Sequence, residues 1–304
     1  MTTRKEFDCI TVGDLFIDLV MSGFPALPRL GEEAFAEQLQ REAGGGAAIT
    51  ACGLARLGER VGALGMVGES DGDWLRERLK SRGVRVDLLR VHLTEPTGLT
   101  VAVSTAEDRA FFTCAGANRF LPEFLETEQA FGLLALARHV HFALPVPPAL
   151  LREFAARLHM TGGMLSIDVG WQPHWLDDER SLAALQEVDL FFPNEREAAR
   201  MTGQTDPEAM LQAFAAAGLP AVALKLGAQG AMLLQDEEIL VCPPQPVRAL
   251  DTTGAGDCFD AGFLHGWLQG ASPEECLRLG NRCGALSTRA LGGLAAFPHP
   301  EELV

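Results

Sequence analysis

The chain has 304 residues, 47% of them hydrophobic, which suffices for one large α/β domain or two smaller ones and is too apolar for a disordered chain. A formal charge of −16, with no local Lys/Arg cluster to reverse it, argues against nucleic acid or an anionic membrane as partner and leaves a small molecule as the default. No run of 18 apolar residues occurs, the first residues lack the order of a secretory signal, and the cysteines (Cys9, Cys52, Cys114, Cys242, Cys258, Cys276, Cys283) have no CxxC spacing, so a cytoplasmic protein with reduced, core-packed thiols is expected.

In chain order, "RVGALGMVG" (60–68) predicts a strand and "DWLRERLKSRG" an amphipathic helix stopped by Gly83. "HVHFALP" predicts a strand, "LLREFAARLHMTGG" a helix and "MLSIDVG" a strand; "VDLFFPN", "EAARMTG", "MLQAFAAAG" and "PAVALKLG" continue the alternation. Repeated βα units require a mostly parallel sheet covered on both faces, a three-layer αβα doubly wound fold, here read as one domain over 1–304. Segments 14–43 and 96–118 break the rhythm, the second reading as a hairpin around "AEDR", and both are expected to form a small β lid.

His139 and His141 alternate on their strand and could share a face as metal ligands. Without a third ligand nearby in sequence, a core pair is the better reading.

The stretch "DTTGAGDCFDAGF", Asp251 to Phe263, lies between the β-compatible "PQPVRAL" and a helical pattern, so strand, glycine turn and helix are expected. Such a turn aims backbone N–H groups and the positive end of a helix dipole at one point, where an anion fits. Asp257 reads in two ways. It is either a first-turn acid complementing the dipole or a general base placed beyond an anion cradle made by Gly254, Ala255 and Gly256. No GxxxxGK[ST] occurs, and "TVGDLFIDL" after the first strand holds no GxGxxG, so neither a P-loop nor a dinucleotide fingerprint is present. Cys258 follows the acid and is expected to pack inward.

These segments together resemble the ribokinase-like (PfkB) carbohydrate kinase family along nearly the whole chain. "DTTGAGDCFDAGF" carries the C-terminal signature, "AGGGAAITACGLARLG" (43–58) is similar to the N-terminal glycine motif and "GMVGESDGDWL" to the segment after it. "PNEREA" resembles the internal Asn-x-x-Glu element and "LKLGAQGA" the nucleotide loop. The resemblance implies ATP-dependent phosphorylation of an alcohol, with Asp257 as base and Gly254, Ala255 and Gly256 as anion hole. It implies Asn194 and Glu197 organising Mg²⁺ and phosphate through water, although the same pair also reads as a helix capping box. Lys225, Gly227 and Gly230 would line the nucleotide, with Asn281 near the adenine; by residue type alone Lys225 is a strand-end lysine with its head in water. Asp251, Thr253, Ser287 and Gly292 would supply a monovalent cation site such as one for K⁺, largely through carbonyls.

For the acceptor, Asp18 matches the position that reads sugar hydroxyls, with an exposed lid acid as the plain alternative, and Gly44 and Gly45 would let the substrate approach the backbone. Ile49 and Leu144 stand where the ribose-using pattern has an asparagine and a glutamate, which disfavours ribose. Gly46 stands where phosphosugar branches carry a lysine. Arg109 could pair the carboxylate of 2-keto-3-deoxygluconate, while a nucleoside would suit the apolar positions, with Phe111, Phe112 or Trp171 stacking on it. A homodimer through the lid and a non-catalytic sugar or nucleotide sensor on the same fold are the remaining expectations to be weighed.

Overall fold

The computed structural model describes residues 5–24, 26–105 and 109–303, excepting the side chains of Ser104, Thr105 and Arg109. In chain order the elements are β1 (Phe7–Gly13), β2 (Phe16–Phe24), β3 (Gln38–Gly44), α1 (Gly46–Arg56), β4 (Val61–Leu64), β5 (Met66–Gly68), α2 (Gly72–Ser81), β6 (Arg90–His92), β7 (Gly98–Thr105) and β8 (Arg109–Cys114). Then follow α3 (Leu121–Leu125), α4 (Glu128–Leu134), β9 (Ala137–Ala143), α5 (Pro148–Met160), β10 (Met164–Ile167), α6 (Pro173–Leu176), α7 (Glu179–Leu185), β11 (Leu190–Phe191) and α8 (Glu195–Thr202). The chain ends with α9 (Pro207–Ala216), β12 (Ala221–Lys225), β13 (Ala231–Gln235), β14 (Glu238–Cys242), α10 (Ala255–Leu268) and α11 (Pro273–Ser287).

The large sheet has the order β14-β13-β12-β11-β10-β9-β1-β4, parallel from β4 through β12 and antiparallel at β13 and β14. Alternation along the strands feeds two apolar layers. Val222, Leu224, Met232 and Leu234 face a cluster shared with α4, α5, α7 and α9, whereas Ala223, Ala231 and Leu233 face one shared with α1, α2, α10 and α11. This is the mixed αβα arrangement that the sequence pattern predicts, and a separate sheet of order β3-β2-β7-β8 stands beside it. The hairpin of β7 and β8 is antiparallel as expected, with residues 106–108 of its turn outside the described residues.

Two expected strands differ. Residues 60–68 do not form one strand: β4 pairs with β1, but at Gly65 the carbonyl accepts the Arg90 N–H (2.9 Å) and the chain leaves the large sheet, so β5 pairs with β6 instead. The "PQPVRAL" segment forms no strand, because Pro244 and Pro246 bring no N–H to a ladder and the chain runs irregularly into the glycine turn.

His139 and His141 are fully buried core residues, as expected, sharing the Ser166 hydroxyl (Nε2···Oγ 2.7 Å and Nδ1···Oγ 2.9 Å). The pair is only half satisfied, since among the described residues His139 Nδ1 and His141 Nε2 have no hydrogen-bond partner. Burial pushes the two imidazoles down to about 3 and about 4, so both are neutral. Cys258 packs inward, donating to the Gly293 carbonyl at 3.0 Å. Among the described residues, no helix is long and apolar enough to cross a membrane.

Candidate active site

Two carboxyl groups flank the glycine run between β3 and α1. β2 and β3 pair Asp18 with Glu42, and the Asp18 carboxylate lies over Gly44, where any Cβ would collide with it. The clearance expected for substrate at Gly44 is therefore taken by a side chain of the protein itself. Gly45 adopts φ 93°, a left-handed conformation open to glycine at little cost, and a Cβ there would collide with the Asp14 carbonyl. Burial lifts the Asp18 carboxyl to about 6, opposed by a hydrogen bond from Thr100 and assisted by Glu42. Asp14, which the sequence patterns did not single out, is likewise lifted to about 6 by burial.

The second carboxyl belongs to α10. Gly254 caps this helix in the left-handed conformation (φ 71°), and Asp257 stands in its first turn. Ile49 is buried beneath that turn, its Cδ1 2.8 Å from the point a Cβ on Gly254 would occupy. The Thr50 hydroxyl donates to the Asp257 carbonyl (3.2 Å), joining α1 to α10. Ala255 N–H donates to the Thr252 carbonyl (3.2 Å), closing the turn onto the start of the helix. Burial pushes the Asp257 carboxyl up to about 7, the Asp168 carboxylate adding to the rise and the Lys225 ammonium opposing it.

Beside this turn opens a cleft of about 480 Å³ whose wall includes Lys225, Gly227, Gly230, Gly256, Phe259 and Asn281. The expected nucleotide residues thus converge, apart from Asn194. The Asn281 amide donates to the carbonyls of Cys242 (3.1 Å) and Pro243 (3.2 Å), tying α11 to the cleft margin. Lys225 does not hold its head in water: its side chain is 10% exposed, and Nζ donates to Asp168 Oδ2 (2.6 Å) and Asp260 Oδ1 (3.1 Å). Burial alone would lower this ammonium, but Asp168, Asp260 and Glu197 together raise it above its ordinary value. Sequence reasoning missed both aspartates. The available signal was an acid inside the otherwise apolar helix "CFDAGFLHGWL", which needs a buried cationic partner.

Asn194 and Glu197 form a complete capping box at α8: Glu197 N donates to Asn194 Oδ1 (3.0 Å), Asn194 N to Glu197 Oε2 (2.9 Å), and the Asn194 amide to Oε1 (2.6 Å). A parallel bridge links Asn194 to Lys225. Asp251 gathers the loop expected to hold a monovalent cation, accepting from Thr253 N (2.9 Å), Thr253 Oγ1 (2.7 Å) and Gly292 N (2.8 Å). Ser287 donates instead to the Gly284 carbonyl (2.8 Å), while the next residue, Thr288, accepts from the N–H groups of Leu250 and Asp251.

Of the acceptor residues considered, Leu144 is buried in the core and the Arg109 side chain lies outside the described residues. Trp171 is covered by the guanidinium groups of Arg196 (4.7 Å to the ring centroid) and Arg200 (5.5 Å), which compete with stacking on a base. Phe111 and Phe112 are exposed on β8. Asn118, also missed, is buried at the junction of the sheets, accepting from Leu15 N (3.0 Å) and donating to Leu15 O (2.9 Å).

An αβα sheet with a detached small sheet, and an acid in the first turn of a helix beside a nucleotide-sized cleft, mark a class: a phosphotransferase with an alcohol acceptor. The model of the pfkB family carbohydrate kinases matches residues 8–300, and the chain belongs to that family. It is 31% identical over 268 residues to 2-dehydro-3-deoxygluconokinase of Bacillus subtilis, covering 83% of this chain and 82% of that protein. It is 31% identical over 313 residues to a ribokinase of Arabidopsis thaliana, covering 97% and 79%. The solved structure of Arabidopsis thaliana ribokinase complexed with ribose and ATP is similar at a TM-score of 0.85, with 28% identity over 98% of this chain and 97% of that one.

Proposed function

We propose that the protein transfers the γ-phosphoryl group of ATP to a hydroxyl of a sugar or sugar-like molecule, with Asp257 as general base and the Gly254–Gly256 turn as anion hole. One observation carries this reading: Asp257 stands in the first turn of α10, the helix whose Ala255 and Gly256 line the cleft. The acceptor oxygen forms a bond to the γ-phosphorus as its proton passes to the Asp257 carboxylate. The bond from that phosphorus to the β,γ-bridging oxygen breaks, and ADP leaves with the electron pair. The charge developing on the moving group falls at the first turn of α10, where glycine N–H groups and the helix dipole favour it.

Asn194 and Glu197 would hold Mg²⁺ through water. Each Glu197 oxygen already accepts a bond from Asn194, which suits a water-mediated contact better than direct ligation. Bound there, the ion supplies neutralisation of phosphate charge. The Asp251 loop, with Thr253, Ser287 and Gly292, is the proposed place for a monovalent cation. Asp18 reads acceptor hydroxyls, and the β3-β2-β7-β8 sheet acts as a lid that excludes water. Exposed Leu39, Phe111 and Phe112 on its edge strands suit a homodimer through the lid, which light scattering would reveal.

The test is ADP release from ATP and Mg²⁺ against free sugars, 2-keto-3-deoxygluconate and other sugar acids, sugar phosphates and nucleosides, with Asp257→Ala alongside. An acceptor that stimulates wild type and not the variant supports the reading and names the substrate. Silence across the panel, with ATP still bound, supports a sensor on the same fold.

A further inference from the structure

The buried cluster beside the base contains two acids to which the reaction described above gives no part. Asp260 lies on α10, three residues beyond Asp257, and its side chain is 0% exposed; Asp168 follows β10 on the other side. Asp168, Asp257 and Asp260 bring carboxylate oxygens within 4.8 Å of one another, and the Lys225 ammonium is bonded to two of the three. A lysine thus provides the cation that this acidic group requires.

Position gives that ammonium its meaning. Lys225 lines the cleft, and its Nζ lies 3.5 Å from the point a Cβ on Gly256 would occupy, directly against the turn. A lysine stem is flexible and its head has three donors, so the head settles wherever its acceptors stand. Asp168 alone would draw it toward the end of β10. Asp260 pulls from the α10 side, and the ammonium rests between them. Asp260 also shares a hydrogen bond with the Asp168 side chain, whereas His141 Nε2 is 3.9 Å from Asp260 Oδ2, too far for a hydrogen bond. An apolar residue at 260 would pack at lower cost than a buried carboxyl, so the acid is poorly explained by stability.

We infer that Asp260 is a positioning residue that, with Asp168, clamps the Lys225 ammonium against the first turn of α10, where the transferred phosphoryl group gathers charge. This rests on the kinase reading above, and the experiment keeps the two separable. Asp260→Asn, Lys225→Met and the double variant are compared with wild type in kcat and KM for ATP, in affinity for ADP with aluminium fluoride, and in thermal melting.

Asp260→Asn is expected to lower kcat at least about tenfold and to weaken ADP–aluminium fluoride binding by a similar factor, while KM for ATP moves less than about threefold. In the Lys225→Met background the same substitution should change none of these values, because its target is gone. An unchanged kcat in Asp260→Asn, or equal losses in both backgrounds, overturns the clamp. Absence of turnover with every acceptor counts against the kinase reading, and the ADP–aluminium fluoride cycle then decides the clamp by itself. Where Asp260→Asn fails to fold, Asp168→Asn opens the clamp from its more accessible side, and an additive loss with Lys225→Met is the refuting result.

Discussion

A Cβ on residue 46 would stand 2.6 Å from Oδ1 of Asp257, and 3.2 Å from the Cβ of Ala143. The start of α1 and the start of α10 therefore meet around one carboxyl, and glycine leaves room for it.

Gly46→Ala is accordingly expected to displace the Asp257 carboxyl and lower kcat by about tenfold to a hundredfold, since a misplacement near 1 Å has effects of that order. ATP affinity should change little. Steady-state kinetics beside nucleotide titration calorimetry checks both, and an unchanged kcat contradicts the proposed role of Asp257.

The burial that lifts Asp257 to about 7 fixes the sign of its pH dependence. A base must be ionised to accept a proton, so kcat/KM should rise with pH through about 7 and fall below it. Stability runs the other way. The folded pKa lies above the unfolded one, so between about 4 and about 7 the folded state holds a proton that the unfolded state releases, and wild type loses stability as pH rises through that window. Asp257→Asn cannot ionise, so its melting temperature should exceed that of wild type by more at pH 8 than at pH 5. An equal difference at the two pH values would remove the claim.

At Gly44 the crowding falls on Asp18. Gly44→Ala should raise KM for the acceptor several-fold while KM for ATP stays near wild type, because the nucleotide cleft is walled by other elements. Initial-rate measurements with each substrate varied in turn separate the two. A change confined to ATP would place Asp18 on the wrong side of the reaction.

Asn118 holds both backbone polar groups of Leu15 from a buried position. Asn118→Ala leaves a buried N–H and C=O without these partners, and a loss of about 1–3 kcal/mol in unfolding free energy is expected for each group so exposed. Chemical denaturation gives the number; a variant as stable as wild type would show that water replaces the amide.

The legibility of the molecule in its sequence followed from how local each signal was. Alternating apolar runs announced the central sheet because its strands β1, β4, β9, β10, β11 and β12 are buried almost throughout. Asp257 was legible because turn, dipole and acid occupy seven consecutive residues. The split between β4 and β5 was not, since it depends on Arg90, some 25 residues onward, capturing the Gly65 carbonyl. Nor was the Asp168–Lys225–Asp260 cluster, whose members come from β10, β12 and α10 and touch only once the sheet is assembled. Lys225 taken alone looked solvent-facing, as most strand-end lysines are, and the acids that hold it lie 57 and 35 residues away.

The chain passes from β3 to α1 through the single residue Gly45. The strand that carries the neighbours of Asp18 and the helix that abuts Asp257 thus share one covalent joint, with no slack between them. On the proposed mechanism, a tilt of the small sheet over an acceptor would be handed on as torsion to the backbone beside Asp257. If Asp257 is the base, as proposed, arrival of the acceptor and alignment of that carboxyl would be one mechanical act, which a water molecule is too small to perform.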